Sequence, residues 1–254
     1  MTPAPRELDA ETLFATTSDP FVLHHVDPAS CRRVWTLDGA VVLDAPRGRP
    51  GETAEGPTYT CLGPAEQLSA LTAYVATVAD PPWRVRAEAS PGLRLPDGWD
   101  PPDPHRWHWM VTEKPPTAAD ADEPPVDVVA DAEEIDAVLD VANHDAFARP
   151  GAPGVEVWLG VRRGHRLAAV GALQRMADRT LHLRGVAVLP DERGHRLGST
   201  LSAALTRLAL EHGSEVATLG VYVDNVPAVC IYERLGYRAV HTFSSGVVAA
   251  AGGP

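Results

Sequence analysis

The chain has 254 residues, 44% hydrophobic and 22% charged, a globular composition with enough apolar residues to bury a sizeable core. Its 34 acidic against 22 basic residues give a net charge of −12, which argues against a nucleic-acid binder and suits a cationic partner such as an amine. Three scattered cysteines without a CxxC exclude a disulfide framework or structural zinc, no apolar run approaches a membrane span, and the polar N-terminus carries no signal-peptide pattern. A cytoplasmic protein with no metal, no nucleic-acid partner and no membrane partner is therefore expected.

In the N-terminal half, FVLHHVD, VWTLDGAVVLDA, TYTCLG and WRVRAE are rich in β-branched and aromatic residues and are expected as strands. Pro64 to Val78 is expected as a helix, with Leu68, Leu71 and Val75 at helical spacing. HRWHWMV alternates in strand fashion and closes this half. Five of the six tryptophans (Trp35, Trp83, Trp99, Trp107 and Trp109) lie here and read as core and edge packing. The segment PPTAADADEPP has almost nothing to bury and reads as a linker. The expected organisation is an α+β domain over 1–114, a Pro-rich linker over 115–125 and a second domain over 126–254. No internal repeat is visible between the halves.

In the C-terminal half, Val126 to Val129 is expected as a short strand. Asp131 caps a helix, with Glu134 three residues on in a capping-box arrangement. Ile135, Val138, Leu139 and Ala142 form its buried face. VEVWLGV, RLAAVGAL and TLHLRGVAV follow as strands. Arg196 to His212 is a helix with Leu197, Leu201, Leu205 and Leu208 on one face and Gly213 behind it. EVATLGVYV is a strand, Asn225 to Leu235 a short helix ended by Gly236, and YRAVHTF a last strand. The order β-α-β-β-β-α-β-α-β implies an α/β fold, a mixed sheet with helices on its faces.

Two segments carry chemistry. After the strand VAVLP, the run Arg193-Gly194-His195-Arg196-Leu197-Gly198 opens a helix. A helix start offers unpaired N–H groups and a positive dipole end, and glycines let an anion come close. This is a phosphate site or an ordinary strand-to-helix turn with solvated arginines. It is neither a P-loop nor a dinucleotide fingerprint, because GK[ST] and the GxGxxG spacing are absent. In DNVPAVCIYERLGY, Asn225 is a good N-cap, and Tyr232 lies two turns on along the same face, with the small Ala228 between. Cys230 falls off that face and reads as a core residue.

Together these segments resemble the GNAT (GCN5-related N-acetyltransferase) superfamily. Its first motif, [RQ]-x-x-G-x-[GA], is matched by Arg193 to Gly198. Its second, N-x-x-A-x-x-x-Y-x-x-x-G-[FY], is matched by Asn225, Ala228, Tyr232, Gly236 and Tyr237. The resemblance covers about Val126 to Phe243. The YVDN…YERLGYR stretch looks like the glycine N-acyltransferase-like branch. Some members there, and tandem members of the mycothiol-synthase type, carry a degenerate N-terminal copy of the fold, which residues 1–114 are expected to be.

The resemblance implies a GNAT acyl-CoA N-acyltransferase fold, acetyl-CoA or another acyl-CoA as co-substrate, and an amine on a small molecule or peptide as acceptor. It implies that the backbone of Val186, Ala187 and Val188 pairs with pantetheine. The pyrophosphate would sit on Arg193, Gly194, His195, Arg196, Leu197, Gly198 and Ser199. Asn225 and Ala228 would contact the cofactor, Tyr232 would act as general acid on the leaving thiolate, and the Val188 N–H would polarise the thioester carbonyl. Two positions depart from the family. Arg196 stands at the middle glycine of the first motif. Arg184 stands where many members carry a glutamate base, so His182, Glu156 and His144 become the candidate bases. Arg184 itself could bind a carboxylate on the acceptor. The rival expectation is a catalytically weak acyl-CoA-binding regulatory module. Monomer and homodimer are both left open.

Overall fold

The computed structural model describes residues 4–45, 55–116, 123–176 and 179–248. Six residues of the expected linker, 117–122, lie outside the described residues. The chain forms two compact units. One runs to His108 and takes in the end of the last strand from His241. The other is Trp109–Val240. The expected second domain, 126–254, includes that strand end.

The first unit contains β1 (Arg6–Leu8), α1 (Ala10–Thr16), α2 (Pro20–His25), β2 (Arg33–Leu37), β3 (Ala40–Asp44), β4 (Thr58–Leu62), α3 (Ala65–Val78) and β5 (Arg84–Glu88). β1 to β4 pair antiparallel in chain order, and β5 lies parallel to β4 across α3. Phe243–Val247 of the final strand add antiparallel beside β5. Asp38 and Gly39, with φ of 43° and 84°, make the two-residue turn that matches strand twist between β2 and β3. Leu68, Leu71 and Val75 of α3 are fully buried against Trp35, Tyr59, Val85 and Trp99.

The expected strand FVLHHVD is instead α2. The cause is local: Asp19 accepts from the Phe21 and Val22 amides, and Pro20 sits at the first helical position, where its missing N–H costs nothing. These two signals outweigh the β preference of Phe, Val and Leu.

The second unit contains β7 (Val126–Val128), α4 (Ala132–Ala142), β8 (Val155–Arg163), β9 (Arg166–Arg175), β10 (Leu181–Val188), α5 (Leu197–Glu211), β11 (Ala217–Tyr222) and α6 (Val226–Arg234). β6 (His105–Thr112) leads in from the first unit and β12 (Arg238–Val247) leads back out. The sheet order is β11-β10-β9-β8-β7, antiparallel except for the β10–β11 pair. From β7 to β12 the element order is the one read from the sequence.

α4 buries Ile135, Val138 and Leu139 with Trp158, Val170 and Ala187. α5 buries Leu197, Leu201, Leu205 and Ala209 with Leu181 and Leu183, while Leu208 is half-buried. Asp131 caps α4 through the Glu133 and Glu134 amides. The Glu134 side chain does not complete a capping box; it forms a bidentate pair with Arg162 on β8.

The two units share one plan. In each, four strands pair antiparallel, helical structure separates the first strand from the second, and a helix crosses from the fourth strand to a parallel fifth. The repeat lies in topology and pairing.

Candidate active site

The site begins with a break in β10. Gly185 has φ of +58°, and the register against β9 slips between Arg184 and Ala187, a β-bulge. Before it, Leu181 and Leu183 face the α5 core. After it, Val186 and Val188 face that core, and Ala187 and Leu189 face α4. The parallel ladder to β11 covers only Leu181–Leu183 against Ala217–Leu219. The strands therefore part where the bulge occurs. The Leu189 amide donates to the Ala168 carbonyl at 2.9 Å. By alternation Ala187 also turns its backbone groups to β9, and those of Val186 and Val188 face the gap left by β11.

Beyond β10, a short 3-10 turn over Pro190–Glu192 leads to Gly194 and Arg196, both left-handed at φ of +84° and +62°. α5 then begins after its N-cap Arg196, whose side chain makes no capping hydrogen bond to the first-turn amides. Arg196 holds a backbone conformation that glycine adopts freely and other residues adopt at a cost of about 1 kcal/mol. Its side chain is 70% exposed, with Glu123 at 3.8 Å. Arg193 and His195 are exposed, and the Arg193 Nε donates to the Val188 carbonyl at 3.4 Å. The Ser199 hydroxyl donates back to the Arg196 carbonyl at 2.7 Å. A Cβ on Gly198 would lie 3.5 Å from Val188 Cγ2 and 3.8 Å from Ile231 Cδ1. The strand, the first motif and the second motif meet at that point.

Asn225 caps α6 by accepting from the Ala228 amide at 3.3 Å, and it is exposed. Ala228 is half-buried on the α5 side. Tyr232 is 7% exposed within the same core. Burial pushes its phenol up to about 12, against the pull of a hydrogen bond with Ser202, so it stays protonated at neutral pH. Tyr237 packs edge-on against it, 5.8 Å between ring centroids. Gly236 takes φ of +89° to end the helix. Cys230 is exposed and corrects the expectation of a core residue: on a helix with one buried face, its position points outward.

Arg184 is half-buried on the α4 face of β10. Its Nε donates to Gln174 Oε1 at 3.0 Å and its guanidinium lies 4.9 Å over the Phe147 ring. The candidate bases are spread out. His182 is fully buried with Nδ1 at 2.8 Å from the Thr218 hydroxyl. Glu156 is paired bidentate with Arg175. His144 is exposed, 3.2 Å from Asp145.

Three contributors were not singled out in the sequence. Gly185 was legible in principle, since a glycine inside a strand pattern marks a bulge. Ser202 and Phe147 carried no signal of their own, because a serine in a helix and a phenylalanine in a loop are common everywhere.

A parted parallel strand pair facing an uncapped, glycine-led helix start, with a buried tyrosine on the next helix, defines a GCN5-related fold. The chain matches the model of the Acetyltransferase (GNAT) family over residues 99–237, more than half its length, and belongs to that family. It is 38% identical over 65 residues to a mycothiol acetyltransferase of Corynebacterium jeikeium, a match to 26% of this chain and 19% of that protein. The matched stretch is thus about a fifth of that relative's length. Solved structures share the fold over nearly the whole chain. A GCN5-related N-acetyltransferase from Kribbella flavida superposes at a TM-score of 0.51 with 21% identity, covering 96% of each chain. A GNAT-family acetyltransferase from Colwellia psychrerythraea gives 0.54 with 10% identity over 95% of this chain and 98% of its own. Among the described residues no helix is long and apolar enough to cross a membrane.

Proposed function

We propose that the protein is an N-acyltransferase that moves an acetyl or other acyl group from acyl-CoA to a primary amine of a small molecule or peptide. The observation that carries this is the convergence of β10, α5 and α6 on Gly198, beside backbone groups of Val186 and Val188 that face away from β9. Bound acyl-CoA supplies the activated thioester. Val186 and Val188 pair with its pantetheine arm. The amides from Leu197 to Ser199, with Arg193 and Arg196, face the pyrophosphate, and His195 and Asn225 flank it. The Val188 N–H polarises the carbonyl, and Tyr232 holds a proton for the departing sulfur. Direct attack needs mainly positioning, which a rigid strand edge supplies.

None of His182, Glu156 and His144 stands ready as a base in this scheme: one is buried beside Thr218, one is salt-bridged and one is solvated. The acceptor then enters as free amine, and its proton leaves to water. Arg184, steadied by Gln174 and Phe147, is assigned to a carboxylate on the acceptor. The named likeness to a mycothiol acetyltransferase puts small-molecule amines first among acceptors to try. A thiol-release assay with acetyl-CoA over a panel of amines tests the proposal.

The alternative is an acyl-CoA-binding regulatory module, favoured by the cation at Arg184. It predicts binding without turnover on any amine. The phenol of Tyr232, protonated and adjacent to the motif junction, favours the enzyme.

The first unit is proposed as a degenerate copy of the same fold, within the organisation 1–114, 115–125 and 126–254. Its topology supports this, and its details support a closed cradle. Gly63 and Pro64 alone join β4 to α3, where residues 189–196 join β10 to α5. Pro64 has no N–H to offer, and Glu88 already accepts from the Gly63 amide at 3.1 Å. A carboxylate thus stands where a phosphate would. Equilibrium titration with acetyl-CoA is expected to give one site per chain; two sites would refute the closed copy.

A further inference from the structure

The run Arg193-Gly194-His195-Arg196-Leu197 of the first motif occurs a second time in the chain, letter for letter, as Arg163-Gly164-His165-Arg166-Leu167. The second copy spans the turn from β8 to β9. The two copies fold alike. Their glycines take positive φ, +60° at Gly164 and +84° at Gly194. Their leucines are buried, and their arginines and histidines are exposed. They are also neighbours. Arg166 Nη1 donates to Asp191 Oδ2 at 2.5 Å, and Arg163 Nε lies 3.6 Å from Glu192 Oε2. Asp191 and Glu192 lead directly into the first motif, so the β8–β9 turn stands beside the cradle at the start of α5.

The arginines of these turns are held in a particular way. Arg33, Arg162 and Arg175 each close a bidentate fork on a carboxylate, Glu7, Glu134 and Glu156 respectively. Arg163, Arg166 and Arg193 are instead anchored through one nitrogen each, to Glu192, Asp191 and the Val188 carbonyl. A guanidinium carries five N–H donors, so each of these three keeps a fork open among the described residues. With Arg196 and its neighbour Glu123 included, the patch holds a surplus of positive charge in a chain whose net charge is −12. Open forks on a local excess of cations suit a phosphate.

We propose that Arg163 and Arg166 bind the 3′-phosphate of CoA and make the protein selective for CoA over thioesters that lack this group. This rests on acyl-CoA being the co-substrate. CoA carries two separate anionic groups, a pyrophosphate and a phosphomonoester on the ribose. The start of α5, with Arg193 and Arg196, takes the first, and the repeated turn takes the second. The phosphomonoester carries about two negative charges at neutral pH, so it draws the donors that the single charges of Asp191 and Glu192 leave open.

Equilibrium titration of the full chain with CoA and with dephospho-CoA, which lacks only the 3′-phosphate, tests this. The wild type is expected to bind CoA about tenfold more tightly in low salt, and the preference is expected to shrink as salt screens these exposed contacts. The double variant Arg163→Ala, Arg166→Ala is expected to bind the two ligands equally and to keep the wild-type affinity for dephospho-CoA. Equal affinity of the wild type for both ligands would overturn the proposal, and that comparison needs no variant to fold. A preference that survives the double substitution would remove Arg163 and Arg166 from the role. A wild type that binds neither ligand would instead sink the acyl-CoA reading itself, and this proposal with it.

Discussion

In the proposed reaction, Arg184 and Tyr232 divide the chemistry of the candidate site between them. Arg184 is held on two sides, by Gln174 and by the Phe147 ring, so its guanidinium is preorganised. Such a fork suits a carboxylate. Arg184→Ala is expected to raise KM at least tenfold for an acceptor bearing a carboxylate beside its amine, and to leave KM for the matching amide or ester unchanged. Steady-state kinetics on such a pair checks this, and equal effects on both acceptors would remove Arg184 from recognition. Tyr232 shows how far a motif reaches. Its identity was legible from N-x-x-A-x-x-x-Y, because the spacing alone fixes one helix face. Its burial and its high pKa arise from the packing of α5 against α6, which no single segment encodes.

At the scale of elements, β10 is the part that makes the site. Gly185 does two things: it takes positive φ, and it leaves room for the Trp158 ring. A Cβ there would lie 3.0 Å from Trp158 Cη2. Gly185→Ala is expected to cost about 1–3 kcal/mol, from the left-handed backbone and the crowded ring together. It should also weaken acetyl-CoA binding, because the bulge sets which way Val186 and Val188 face. Denaturant unfolding and titration check the pair; unchanged stability and affinity would contradict the bulge's role.

The elements of the second unit were legible because their signals agree: caps, leucine spacing and terminal glycines all point to the same boundaries. Asp19-Pro20 was the conflict in the first unit, where a cap and a helix-starting proline overrode residues that favour strands. The shared strand and helix order of the two units was hidden for a related reason. It lies in topology and pairing, and the two-residue connection from β4 to α3 has no counterpart to the longer segment between β10 and α5.

At the scale of the molecule, the last strand is tied into the first unit by a buried histidine between two half-buried carboxylates. His241 Nδ1 lies 3.0 Å from Glu88, and Nε2 lies 3.0 Å from Asp19, the cap of α2. Burial pulls the imidazole's pKa down, but the hydrogen bonds and charges of the two carboxylates outweigh it and lift it to about 9. Asp19 and Glu88 are correspondingly lowered; burial raises them, and their bonds to His241 more than offset this. A raised histidine stabilises fully below its unfolded pKa near 6.5 and loses that contribution as pH climbs through about 9. The lowered carboxylates contribute above their unfolded range, near pH 4, and lose it in acid. The clamp is therefore complete between about pH 5 and 6.5 and is worth up to roughly 3 kcal/mol. Urea unfolding of the wild type and His241→Gln should show a gap in that window that closes by about pH 10. A gap of equal size at pH 6 and pH 10 would show that the charge does not matter.

In the proposed function the parted strands and Tyr232 together perform acyl transfer. Thiol release from acetyl-CoA, measured with a panel of small amines for the wild type and Tyr232→Phe, tests it most directly. The expected result is turnover with at least one amine and a loss of about 10²-fold or more in kcat for Tyr232→Phe, with acetyl-CoA affinity retained. Tight binding of acetyl-CoA with no turnover on any amine, and no difference between the two proteins, would contradict it.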